Sequence, residues 1–501
     1  MRRVLQLAGL LPLALSAVAH ADAPSNTVEV GGYYRLQALT DFQGGNGRLG
    51  LSTIYGRLLN EGPYGIVELR YNAIGDPKSA DPFAQVTFRV EGASFLGTDA
   101  GQGSLSNYAI TNFGVNVGNI LLEHVTWRLG ILWVEPNDLD LYDMFLDDVL
   151  YGVAGVSAHY QVPLLDLTVG LGDAGWYLHP QAYDTVYTGG GWFRFHPDKH
   201  FEIGGGGQAG FEPSSPGNVN APYQTPGVTY LQYYQQDAVQ SFFSNLGTTQ
   251  GPIASTLFPH PSPRSSSNWK AVGYLGFGKL GPLKWNSFYV HYLKQPPLTS
   301  YTENYQGAPY TIYIHDLTDQ EYELMAGDES LWTIVPHKLD LALDGLYGVE
   351  RNYANVQIAG YDNYTFVSGV ARLQYYLTRT VHLLVETSLA EEHSLNGNLF
   401  RNHVDSPFTS SGGINDPLGL AYGDAAYRDT WQGKGGIVFN PNGPGIYNRP
   451  SLRLLYGLQW SSAQDAFQSG YVNSLNQYNQ FTGALEQHWH SVVGADLEGW
   501  F

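Results

Sequence analysis

The stretch WRLGILWVEPNDLDLYDMFLDD (127–148) carries five aspartates, Asp138, Asp140, Asp143, Asp147 and Asp148. At that density they could hold a divalent cation or draw cations into a passage. The run lacks the glycine and the terminal glutamate of a calcium-binding helix–loop–helix, so no metal is expected there. A second set, His382, Glu386 and Ser388, shares one parity within VHLLVETSLA (381–390). A nucleophile and its base must lie within hydrogen-bond reach, whereas same-face neighbours on one strand stand about 6–7 Å apart. Glu486, His488 and His490 also share a parity, but no nucleophile stands among them. The chain is therefore not read as an enzyme, and no cofactor is expected.

A third set is Tyr33, Arg35, Tyr447, Arg449, Arg453 and Trp500. Aromatic faces beside guanidinium and carboxylate groups suit sugars, whose C–H faces stack on rings while their hydroxyls bond charged side chains. The elements that would position this set alternate with a period of two. In VEVGGYYRLQA (28–38), Val28, Val30, Tyr34, Leu36 and Ala38 share a face opposite Glu29, Tyr33, Arg35 and Gln37. LDLALDGLYGVE (339–350), VHLLVETSLA and SLRLLYGLQW (451–460) repeat the pattern. In the terminal VVGADLEGWF, Val493, Ala495, Leu497 and Phe501 oppose Asp496, Glu498 and Trp500. Runs of about ten residues, apolar on one face and polar on the other, fit tilted strands of a transmembrane β-barrel. An aromatic girdle would lie on the lipid face, and parity puts Tyr33, Tyr447 and Trp500 on the other.

The N-terminus, MRRVLQLAGLLPLALSAVAHADAPS, has the basic start, short apolar run and Ala-His-Ala cleavage pattern of a secretory signal, expected to span 1–21. Loss of its two arginines takes the formal charge from −20 to −22. The exported chain has no cysteine, 60 Gly and 36 Tyr, and 14% charged residues, which fits a barrel better than a soluble domain. The acidic balance argues against nucleic-acid binding. Residues 22–501 are read as one barrel domain, with short turns such as 196–200 and 376–380. Its long loops fall near 211–268, 299–322, 391–430 and 461–487. The glycine runs GGGWF (189–193) and GGGGQ (204–208) lack the Lys-Ser/Thr of a phosphate loop and fit tightly packed strands.

GGYYR (31–35), RLG (48–50) with Tyr55, WNSFYVHY (285–292), IYNRPSLRLLYGLQW (446–460) and VVGADLEGWF resemble, in this order, segments of the maltoporin group of sugar-specific outer-membrane porins. The resemblance implies an 18-stranded antiparallel barrel in a Gram-negative outer membrane, a homotrimer, and a lumen path of aromatics. Carried over by position, that path is Tyr33, Tyr55, Phe288, Tyr447 and Trp500. Its polar partners are Arg35, Arg48, Asp138 and Asp143. The stretch 127–148 resembles the family's inward constriction loop, with Asp140, Phe145 and Asp147 in it. Pro136 stands where a track arginine is expected and Arg57 where a glutamate is. The implied partners are outer-membrane lipid and an oligosaccharide or other polyol. The alternative is a general or weakly cation-selective porin, which the acidic loop would favour by electrostatic focusing.

Overall fold

Eighteen strands form one closed antiparallel sheet in this computed structural model. Residues 26–41, 49–50, 52–93, 108–134, 138–178, 185–213, 266–294, 300–305, 308–313, 322–351, 364–394, 426–462 and 489–501 are described. The signal segment, Arg48 and most of the expected long loops lie outside them.

The strands are β1 (Thr27–Asp41), β2 (Tyr64–Ile74), β3 (Phe83–Ala93), β4 (Tyr108–Gly118), β5 (Val125–Val134), β6 (Val149–Val162), β7 (Leu165–Asp173), β8 (Tyr187–Phe195), β9 (Phe201–Glu212), β10 (Ser266–Leu280) and β11 (Leu283–Lys294). Then follow β12 (Ser300–Tyr305) and β13 (Ala308–Tyr313), which pair only with each other, and β14 (Tyr322–Val335), β15 (Leu339–Arg351), β16 (Tyr364–Tyr376), β17 (Val381–Ser394), β18 (Ala426–Phe439), β19 (Ser451–Ser461) and β20 (Trp489–Trp500). Each barrel strand pairs with the next, and β1 closes on β20 through Tyr33↔Trp500 to Asp41↔Val492. Closure leaves no unpaired edge, which a hydrocarbon environment demands.

The period-two reading fixes which face each residue takes. Val28 and Val30, Leu343 and Tyr347, Val385 and Leu389, and Leu454 and Tyr456 are exposed outward. Their alternates Arg35, Asp344, Glu386 and Arg453 are buried within. An apolar exterior on a closed barrel with a charged interior is the pattern of an outer-membrane barrel. No helix among the described residues is long and apolar enough to cross a membrane, and the strands make the crossing.

The interior is not uniformly polar, which strand alternation alone did not foresee. Two connections fold into the barrel: residues 49–63 with the single helical turn Ser52–Tyr55, and residues 138–148. Ile54, Tyr55, Leu139, Leu141, Tyr142 and Leu146 pack against Tyr289, Leu346, Phe366 and Val370 of the wall and form an apolar core inside the barrel. Beside it, Arg372 and Lys434 bind Glu386, and Arg428 binds Glu392, all at most 1% exposed. Tyr55 joins them: its hydroxyl donates to Glu392 and its carbonyl accepts from Lys434 Nζ at 3.0 Å. These pairs fasten the 49–63 segment to β16–β18.

Removing one member of a buried ion pair strands the other charge. Glu392→Ala is expected to lower the unfolding free energy by about 3–5 kcal/mol by uncovering Arg428. Urea unfolding of the barrel in detergent, followed by tryptophan fluorescence, measures it; an unchanged midpoint would show that water already reaches Arg428.

Candidate functional site

Glu498, near the C-terminal end of β20, gathers the charged groups of the site. It accepts from Tyr33 Oη at 2.8 Å and Arg57 Nη2 at 3.2 Å, and it forms ion pairs with Arg449 (2.8 Å) and Arg453. These partners come from β1, the 49–63 segment, the 440–450 turn and β19, so one carboxylate joins four separate stretches of chain. Arg453 also holds Asp496 at 2.8 Å. Arg35 and Arg57 share Glu61.

The acidic loop docks onto this cluster. Arg57 N–H donates to Leu141 O at 2.8 Å, and Leu141 N–H donates to Glu329 Oε2 at 3.3 Å. Tyr142 Oη lies 2.9 Å from Ser368 Oγ. Asp143 turns through a left-handed backbone (φ 57°) and approaches Arg35 and Arg57 at 3.7 and 3.8 Å. Burial raises the Asp143 carboxyl, but Arg57, a hydrogen bond with Glu61 and Arg35 together hold it below the usual range. Among the described residues Asp138 has no such cation in contact. Burial first, then repulsion from Asp140 and Asp143, pushes its carboxyl up to about 7, against a weaker pull from Arg57.

Between loop and wall lies a cavity of about 790 Å³. It brings together Tyr33, Arg35, Asp138, Asp140, Asp143, Phe145, Tyr447 and Trp500 of the residues named from sequence. The Tyr33 ring lies 4.7 Å from that of Trp500 and 6.3 Å from that of Tyr64, and Arg35 stands over Tyr64 at 6.0 Å. Trp500 is 64% exposed, so its ring is available to a passing solute. Tyr447 is set by the 440–450 turn: its hydroxyl donates to Glu329 and its ring lies 5.9 Å from Trp285.

Three residues named from sequence stand elsewhere. Tyr55 is fully buried, its ring in the internal core and its hydroxyl on Glu392, so it lies off the cavity. Phe288 takes the outward parity: it pairs with Asp328, while its neighbour Tyr289, 1% exposed, is the residue that points inward. Asp147 lies within the inward loop as named but is fully buried and does not line the cavity. Arg48 lies outside the described residues.

Other lining residues had no clear sequence signal. Tyr64 opens β2, and Trp133 enters the lumen at a register shift between Leu132 and Val134, where simple alternation fails. Arg89 stands 4.7 Å over the Trp133 ring. Trp133 also borders a second cavity of about 450 Å³, lined by Arg128, His159, Asp166, Trp192 and Arg194. Arg57 belongs to the site too, in place of the expected glutamate.

The chain matches no family model and no curated protein, so the maltoporin likeness stands on the sequence segments alone. Among solved structures it is similar to outer-membrane expressed OmpT of Vibrio cholerae (9% identity, TM-score 0.39, 95% of this chain and 99% of that one). It is also similar to the outer membrane channel DcaP of Acinetobacter baumannii (12%, 0.41, 74% and 92%) and to OccK1 of Pseudomonas aeruginosa (9%, 0.38, 95% and 97%). At these scores the likeness is one of barrel architecture.

A carboxyl titrating near neutrality beside a passage gives a signed prediction. Asp138 is neutral well below pH 7 and anionic above it, so cation preference should rise as pH increases through that range. Reversal potentials in a salt gradient at about pH 5.5 and 8.5 test this on either side of the titration, and Asp138→Asn should flatten the difference. Asp147 is also raised to about 7 but is buried off the cavity; if D138N keeps the full pH response, the titrating group lies elsewhere.

Proposed function

We propose that the protein is a diffusion channel of a Gram-negative outer membrane, and that the larger cavity is the entry to a path for sugars or other neutral polyols. The observation that carries this reading is the Tyr33–Trp500–Tyr64 ring cluster, set beside Arg35, Arg57 and Arg449 on one side and Asp138, Asp140 and Asp143 on the other. A pyranose presents C–H faces to such rings and hydroxyls to such charges. Arginines already bound to Glu498 and Glu61 keep donors fixed in direction, which favours orientation of a hydroxyl over capture of a free anion.

A second reading, a general pore with weak cation preference, draws on the acidic loop. Asp138 and Asp140 face the cavity without an ion-pair contact, unlike Asp143. The two readings part on the aromatic cluster, which small ions do not need.

The test is ion current through the purified protein in a planar bilayer while maltooligosaccharides are titrated into the bath. Saturable block that strengthens with chain length supports the sugar path. Trp500→Ala should then weaken block by about 1–3 kcal/mol, taking base-on-aromatic stacking as the measure, with conductance equal or higher. Steady current with cation selectivity and no block would favour the general pore.

A further inference from the structure

The smaller cavity, of about 450 Å³, is walled by a guanidinium that its neighbours orient but do not neutralise. Arg128, on β5, donates from Nε to Ile131 O at 2.9 Å and from Nη1 to Asn116 Oδ1 at 3.0 Å. Its Nη2 donates to Asn112 Oδ1 and to Thr87 Oγ1 at 3.4 Å. All of these acceptors are neutral. They fix the group in direction and leave one N–H over, with no carboxylate at ion-pair distance among the described residues. Glu68 acts on it from farther off and is itself held by Arg70. The other charged groups of the wall are committed. His159 Nε2 lies 2.8 Å from Asp166 Oδ1, and Arg194 stands 4.0 Å from Glu202 and 5.0 Å over the Tyr274 ring. The indole N–H groups of two lining residues, Trp133 and Trp192, have no acceptor among the described residues, and Trp192 is only 3% exposed. A buried donor without an acceptor is costly, and two beside an unneutralised guanidinium mark a place for an acceptor that carries charge.

We propose that this cavity receives the carboxylate of an acidic sugar, a uronic acid unit whose ring meets Trp133. The inference rests on the reading of the barrel as a sugar path and names a class of sugar for it. Trp133 borders both cavities, so sugar units lying along the Tyr33–Trp500–Tyr64 cluster can continue onto the same indole. A volume of about 450 Å³ is that of a small-molecule site. With His159 neutral, the lining sets two guanidiniums, Arg128 and Arg194, against one carboxylate, Asp166, a surplus of one positive charge. That surplus suits a carboxylate better than a phosphate monoester, which carries about −1.5 to −2. In the larger cavity Arg35, Arg57 and Arg449 are already held by Glu61 and Glu498 and serve to orient hydroxyls. Arg128 is not held by a carboxylate, so its charge is available to a solute. The aspartates of the inward loop repel an anion at the narrowing, and Arg128, near the start of β5 and so toward the short-turn end, offsets that repulsion farther along the wall.

The experiment compares block of ion current by trigalacturonate and by maltotriose, titrated at neutral pH into either bath of a planar bilayer holding the full-length protein. The expected result is half-maximal block by trigalacturonate at a concentration roughly tenfold below that for maltotriose, the scale of one hydrogen bond to a charged group. Arg128→Gln should abolish the difference, and Arg128→Lys should keep part of it. Trp192→Phe, which removes the indole N–H and keeps an aromatic ring, should shrink the difference severalfold and serves as the second variant if R128Q does not fold. Heat-modifiable gel migration confirms folding of each variant. Equal block by the two trimers, or a difference that R128Q leaves intact, would overturn this inference alone, the sugar path still standing on the maltotriose block. Block by trigalacturonate without block by maltotriose would support it and restrict the path to acidic sugars. Tighter block by glucose 6-phosphate than by galacturonate would overturn the assignment of a carboxylate. No block by either trimer would sink both the inference and the sugar path.

Discussion

Glu498 is the group on which the interior arrangement depends. A carboxylate at 2% exposure is tolerable only because three guanidinium groups and a phenol surround it. Those partners are spread over the first strand, an inward connection, a turn and the penultimate strand. Satisfying one buried charge thus fixes the seam between β1 and β20, the position of Arg57, and the cis-Pro turn that presents Tyr447. Arg57 in turn carries the acidic loop through its backbone contact with Leu141. The aromatic cluster is held in the same way, since the Tyr33 hydroxyl that bonds Glu498 belongs to the ring lying against Trp500.

The alternation of apolar and polar residues made the barrel legible, because a lipid exterior and a charged interior impose opposite chemistry on successive residues. It was clearest in β1, β15, β17, β19 and β20, and there it placed Tyr33, Arg35 and Trp500 on the inner face. It failed where the inner face is not polar. In WNSFYVHY both faces are apolar because Tyr289 packs on the internal core, so Phe288 and Tyr289 look equivalent in sequence. Tyr55 misled for another reason: it lies in a helical turn, where strand parity has no meaning. Trp133 was missed because a register shift turns it inward. The inward loop was legible only by resemblance. Which of its carboxylates meet a cation depends on Arg35 and Arg57, distant in sequence.

Two ways of handling buried charge coexist within one wall. On β16–β18 the charges pair with one another and are sealed from water, so they serve to hold a segment in place. Around the larger cavity they pair incompletely: among the described residues Asp138 and Asp140 are in no ion pair, and there unbalanced charge meets the cavity. Residues of the same types thus act as fastening on one side and line an open cavity on the other.

The internal core has a consequence for which parts of the interior can change. Its residues come from β6, β8, β10, β11 and β14–β17 together with the two inward connections, whereas the larger cavity is lined mainly by β1, β2, β20 and the acidic loop. On the cavity side, groups outside the Glu498 cluster, such as Asp138 and Trp500, can change what the cavity presents without touching the packed core. The interior is thereby divided into a packed part and an open part along one closed sheet, joined where Tyr447 meets both.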